Sequence, residues 1–89
     1  MSLKQQLKAA AFAASVCDVR DAAEKTAADA KEAYYEARHA LAYATDKDAA
    51  YKDVADKHAT YVAAVIDHEE ADAAYKRAFA TFYATLRNE

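Results

Sequence analysis

The chain has 89 residues, 12 basic and 15 acidic for a net charge of −3, and neither glycine nor proline. The length bounds it to one domain. Without Gly or Pro it lacks the residues that make tight turns and punctuate strand edges, which excludes all-β and α/β architectures. The interleaved charges exclude both the basic stripe of a polyanion binder and the dense acidic face of a DNA mimic.

Alanine, the strongest helix former, supplies 27 of the 89 residues. Removing Ala and Tyr from the apolar set leaves only 15 residues among Val, Ile, Leu, Met, Phe and Cys. Burying one such side chain contributes about 1.5–3 kcal/mol, and an Ala methyl far less. A core this thin predicts help from a second chain. Cys17 is the only cysteine, so a disulfide framework is excluded.

At the N-terminus, Lys4 and Lys8 precede an Ala-dominated run ending in Val16 and Cys17. It has the outline of a signal peptide, but its apolarity is weak and Val16 is too large for a lipoprotein cleavage site. The expectation is a retained N-terminus, a cytoplasmic location and no membrane span.

The first helix is expected over about 2–44, from apolar residues recurring at steps of three and four. Its predicted seam is Phe12, Val16, Val19, Ala23, Ala27, Ala30, Tyr34, Ala37, Leu41 and Ala44. The polar stretch Thr45–Asp48 is the predicted turn, with Thr45 capping the second helix and Asp48 as its acidic capping-box partner. The second helix is expected over about 46–88, with a heptad seam of Tyr51, Val54, His58, Tyr61, Val65, His68, Asp72, Tyr75, Phe79, Phe82 and Leu86. Asp-Ala-Ala-x-Lys occurs at Asp21, Asp48 and Asp72, but the unequal spacing is not that of a solenoid repeat.

The resulting fold class is all-α: a single domain, 1–89, forming a long antiparallel helical hairpin of coiled-coil character. Dimerisation would make it a four-helix bundle. A three-helix arrangement with a break near Ser15 is the alternative. A turn near residue 46 pairs position i with about 92 − i. That register sets Tyr75 against Cys17, Asp72 near Arg20 and His68 near Glu24, so Arg20–Asp72 and Glu24–His68 are the candidate polar pairs of the core.

Candidate chemistry is sparse. Glu36 and His39 form the Glu-x-x-His step of di-iron bundles, but both point away from the seam of Tyr34, Ala37 and Leu41. His58 and His68 lie about 15 Å apart along a helix, too far to share a metal ion. Cys17 has no neighbouring His or Cys to activate it. No catalytic residue, cofactor, metal site or nucleic-acid partner is predicted. No known family is recognisable: helical hairpins with a Trp-x-Gly turn need residues this chain lacks, and the basic residues do not converge as in small helical chorismate mutases.

Seven tyrosines are the most pointed feature of the composition, because Tyr offers a large apolar area with a polar tip and is enriched at interfaces. The segment 59–66 is apolar nearly all round, as in a helix buried on more than one side. Val62, Ile66, Tyr35 and Tyr43 are the candidate interface. The expected function is a non-enzymatic interaction or structural module that self-associates as a dimer through an Ala/Tyr-rich surface. The alternatives are a small accessory or inhibitor protein, of a kind phages encode, that blocks a larger partner, and a metal-binding bundle.

Overall fold

The computed structural model describes residues 2–87. Two helices, α1 (Leu3–Leu41) and α2 (Lys47–Arg87), pack side by side as an antiparallel hairpin. The molecule is a rod of 66 × 13 × 13 Å. That matches two helices of about 40 residues at 1.5 Å per residue. α1 runs unbroken through Ser15, so the three-helix alternative is excluded. No described helix is long and apolar enough to cross a membrane.

α1 opens on a capping box at Ser2. The Ser2 hydroxyl accepts from the Gln5 amide at 3.2 Å, and the Gln5 side-chain oxygen accepts from the Ser2 amide at 3.2 Å. Two donors that a helix start leaves orphaned are thus satisfied.

The far end has a different problem. Helices commonly close on a left-handed residue, usually glycine, and no described residue has positive φ. The chain instead tightens into 3₁₀-type bonds, in which the amides of Ala42, Tyr43 and Ala44 donate to the carbonyls of His39, Ala40 and Leu41. The Lys47 ammonium then donates to the Leu41 carbonyl at 2.7 Å and the Ala42 carbonyl at 3.4 Å. A cation here also suits the negative end of the α1 dipole.

The expected cap is corrected by one residue. The Asp46 carboxylate, not Thr45, accepts from the Ala49 amide at 3.1 Å, and the Asp46 carbonyl accepts from Ala50. The non-helical stretch is therefore 42–46 rather than 45–48. Asp also brings a negative charge to the positive helix start, which threonine cannot.

Each helix turns two rows of residues toward the other at heptad spacing. One row is small: Ala9, Val16, Ala23, Ala30 and Ala37 on α1, and Ala50, Ala64, Ala71, Ala78 and Thr85 on α2, with only Lys57 exposed in that row. The second row holds Ala13, Arg20, Ala27, Tyr34 and Leu41 on α1, and Val54, Tyr61, His68, Tyr75 and Phe82 on α2. The buried side chains among the described residues are Ala13, Ala30, Ala37, Ala64, Ala78 and Thr85; no large side chain is fully covered. Thr85 hides its hydroxyl by donating to the Phe82 carbonyl at 2.6 Å.

The inward rows correct both predicted seams at their outer ends. Phe12 and Val19 are 62% and 59% exposed, and Ala13 and Arg20 take their places. On α2, Tyr51, His58 and Leu86 lie outside, and the row one residue earlier, with Ala64 and Ala78, is the buried one. The reason is steric. Alanine lets two backbones approach until little else fits between them, so the larger side chains stand at the flanks. The accessible surface reflects this: 6403 Å², against roughly 5,100 Å² for a compact monomer of this mass.

Two outcomes test this description. Asp46→Ala should cost about 1 kcal/mol in chemical denaturation while Thr45→Ala stays within a few tenths. Ala64→Leu should destabilise by about 1–3 kcal/mol through overpacking, despite adding apolar surface; a neutral or stabilising result would mean the helices are not held close by alanine.

Candidate interaction surface

The contacts between helices place the flanking side chains. The Tyr34 ring lies 5.1 Å from His58 and 6.0 Å from Tyr61. The Arg20 guanidinium sits 3.9 Å from the centre of the Tyr75 ring. The Tyr34–His58 contact falls on the expected 92 − i register. The others lie one turn beyond it because helical side chains lean toward their own N-terminus. Tyr34 leans to the level of Lys31, which stands opposite Tyr61; Arg20 leans to the level of Cys17, which stands opposite Tyr75.

The same lean explains why an expected pair is not made. Arg20 and Asp72 are level by backbone register, but in an antiparallel pair their side chains tilt apart. Arg20 bonds Asp21 at 3.1 Å, and Asp72 bonds Lys76 at 3.1 Å. The Asp21 hydrogen bond, with smaller electrostatic contributions from Asp21, Tyr75 and Cys17, raises the Arg20 pKa above its ordinary value, against a partial opposing effect of desolvation. The described hydrogen bonds and ion pairs do not join Glu24 to His68: His68 is half-buried on the inward row, and Glu24 is exposed on the flank.

The flank beside these contacts forms one long side of the rod. Heptad phase puts Cys17, Asp21, Glu24, Lys31, Tyr35 and Arg38 of α1 there, with Tyr51, His58, Val62, Val65, Glu69, Asp72, Phe79 and Tyr83 of α2. The measured contacts agree. Arg20 touches Cys17 Sγ at 3.9 Å, Arg38 lies 5.6 and 5.8 Å from the Tyr34 and Tyr35 rings, and Lys31 lies 5.9 Å from Tyr35. Tyr35 is 5.5 Å from Tyr34, so the two rings continue the interior packing out to the surface.

Of the four predicted interface residues, two share this side. Val62 is 43% exposed and Tyr35 50%; Ile66, 49% exposed, adjoins them on the outer surface of α2. Tyr43 does not join them. It lies in the turn, 77% exposed, its ring 5.4 Å from His39. Sequence reasoning missed two members of the surface, Phe79 and Tyr83, which form an aromatic run with Tyr75 and Phe82 near the open end of the hairpin. Heptad spacing alone carried their signal, once the small row is taken as the inward one.

The residues with possible chemistry stay apart. Glu36 and His39 are both exposed on the outer surface of α1. Among the described residues, no group of three or more His, Cys, Asp or Glu side chains could hold a metal ion, and no cavity is enclosed. Cys17 is half-buried between Arg20 and Asp21. No family profile, curated protein or solved structure matches the chain.

The Arg20–Tyr75 contact is the most direct tie between the helices outside the small row. A double-mutant cycle of Arg20→Ala with Tyr75→Leu should give a coupling of about 0.5–2 kcal/mol. The corresponding cycle of Arg20→Ala with Asp72→Ala should give a coupling near zero.

Proposed function

We propose that the hairpin is a non-enzymatic interaction module that associates with a second copy of itself through the side bearing Tyr35, Val62 and Val65. The observation that carries this reading is the exposure of Val62 and Tyr35 on one side of the rod, with Ile66 adjoining on the outer surface of α2, in a fold whose buried side chains are no larger than threonine. Large apolar side chains grouped on one side mark a contact surface more often than a free one. A dimer of hairpins is the simplest closed arrangement that covers them, and it makes a four-helix bundle. Each chain then gains the large-residue burial that its own alanine-lined interface lacks.

The described side chains capable of acid–base chemistry or ligation do not converge on one another, which favours binding over catalysis. A cytoplasmic location belongs to the same proposal, on the interleaved charge and the single, half-buried cysteine. Docking onto a different, larger protein is the second reading, and the same exposed residues would serve it.

Sedimentation decides between the two. The unmodified chain should sediment as a dimer at about 100 μM, and its melting temperature should rise with concentration. Changing Val62 and Ile66 together to Lys should abolish both effects while leaving helix propensity nearly unchanged. A monomer at that concentration would leave the second reading in place of the first.

A further inference from the structure

The exposed charges on the interaction side are sorted by height along the rod. Glu24, Glu69 and, at the turn end, Asp48 carry the uncompensated negative charge. Asp21 and Asp72 are already bonded to Arg20 and Lys76, whereas the described ion pairs hold neither glutamate. Lys31 and Arg38 carry the positive charge; they lie against Tyr34 and Tyr35 and have no carboxylate among the described pairs. In the hairpin register Glu69 stands level with Ala23, so the two glutamates occupy one height. The two bases lie closer to the turn, with their mean height roughly 16 Å away. Midway between the two glutamates and the bases lies within one residue of the level of Ala30, and Val62 stands opposite Ala30 in the same register.

This arrangement is self-complementary in only one orientation. A second copy laid on the same side in the same direction packs α1 on α2 and sets Glu24 against the other copy's Glu69, which is unfavourable. A copy rotated by half a turn about an axis lying in the plane of that side, across the rod at the level of Val62, packs each helix on its own counterpart and sets Glu24 against the other copy's Lys31 and Arg38. The two Val62 side chains then meet at the axis, with Val65 beside them. This is an isologous contact, which closes at two copies.

The size is adequate. A side 66 Å long and 13 Å wide, overlapped over roughly seven-tenths of its length, covers on the order of 1,200 Å² summed over both copies, the lower bound of stable interfaces.

We infer that the partner is a second copy of this chain bound head to tail, with Val62 on the two-fold axis and Glu24 of each copy facing Lys31 and Arg38 of the other. This rests on the self-association proposed above and fixes its geometry.

Two experiments test it, both on the full chain. In a Cys17→Ala background, Val62→Cys should form an interchain disulfide rapidly under mild oxidation, and Ala63→Cys, on the opposite side of α2, should not. Charge reversal then separates the two orientations. Glu24→Lys should weaken dimerisation at least tenfold, as should Lys31→Glu with Arg38→Glu, and the chain carrying all three changes should regain the original affinity. A parallel dimer opposes Glu24 to Glu69, so Glu24→Lys strengthens it and the loss and rescue do not appear. If the unmodified chain is monomeric, the self-association reading fails and takes this geometry with it. If it dimerises but Val62→Cys stays reduced, or the threefold variant stays dissociated, self-association stands and the head-to-tail arrangement is overturned.

Discussion

The close approach of two alanine rows governs the rest of this molecule. With Ala30, Ala37, Ala64 and Ala78 between the helices, the backbones have no room for a layer of Leu or Ile. The large side chains the chain does possess stand half-buried in the second inward row, as Tyr34, Leu41, Tyr61, Tyr75 and Phe82 do, or out on the flanks. There they pack only partly, and they must present surface to solvent or to another chain. Stability is thereby moved from a buried core to the edges of the interface, where rings and long cations cover one another. Arg20 on Tyr75 and Arg38 on Tyr34 and Tyr35 are of this kind. Such contacts contribute about 0.5–1 kcal/mol each when exposed, too little to replace a conventional core.

The same economy shapes the turn. A chain without glycine cannot close a helix in the left-handed region, and α1 ends by borrowing the first residue of α2. Lys47 supplies the ammonium that the Leu41 and Ala42 carbonyls need, and Asp46 beside it supplies the acceptor for the Ala49 amide. Two neighbouring residues of opposite charge thus finish one helix and begin the next, each matched to the dipole it meets.

How much of this was legible follows from which physics each feature depends on. The two helices and their antiparallel pairing were readable, because missing Gly and Pro and sustained heptad spacing leave few alternatives. The middle of each seam was readable for the same reason: Tyr34, Ala37, Leu41, Tyr61 and Tyr75 face inward as expected. The outer ends were not. Phe12 and Val19 attract a hydrophobicity-based reading, yet Ala13 beside them is 1% exposed, because the deciding quantity is interhelical distance rather than apolarity. Thr45 and Asp46 are both good caps, and composition does not separate adjacent candidates. The Arg20–Asp72 pairing failed for a geometric reason, since backbone register and side-chain register differ by the lean of the side chains. The Ser2–Gln5 box carries the Ser-x-x-Gln pattern, but it lies ahead of the first seam residue, so the seam does not point to it.

The turn also bears on the order in which the hairpin closes. The Tyr34–His58 contact closes a loop of about 24 residues, and Arg20–Tyr75 one of about 55, so the first is entropically cheaper by roughly 0.7 kcal/mol. That difference favours closure beginning beside the Asp46–Lys47 hinge and proceeding toward the termini. Opening runs the other way. The aromatic run at Phe79 and Tyr83 separates first and the tyrosine–histidine cluster beside the turn last, so thermal fluctuation loosens the rod as a pair of tongs parts, with the jaws moving and the pivot held.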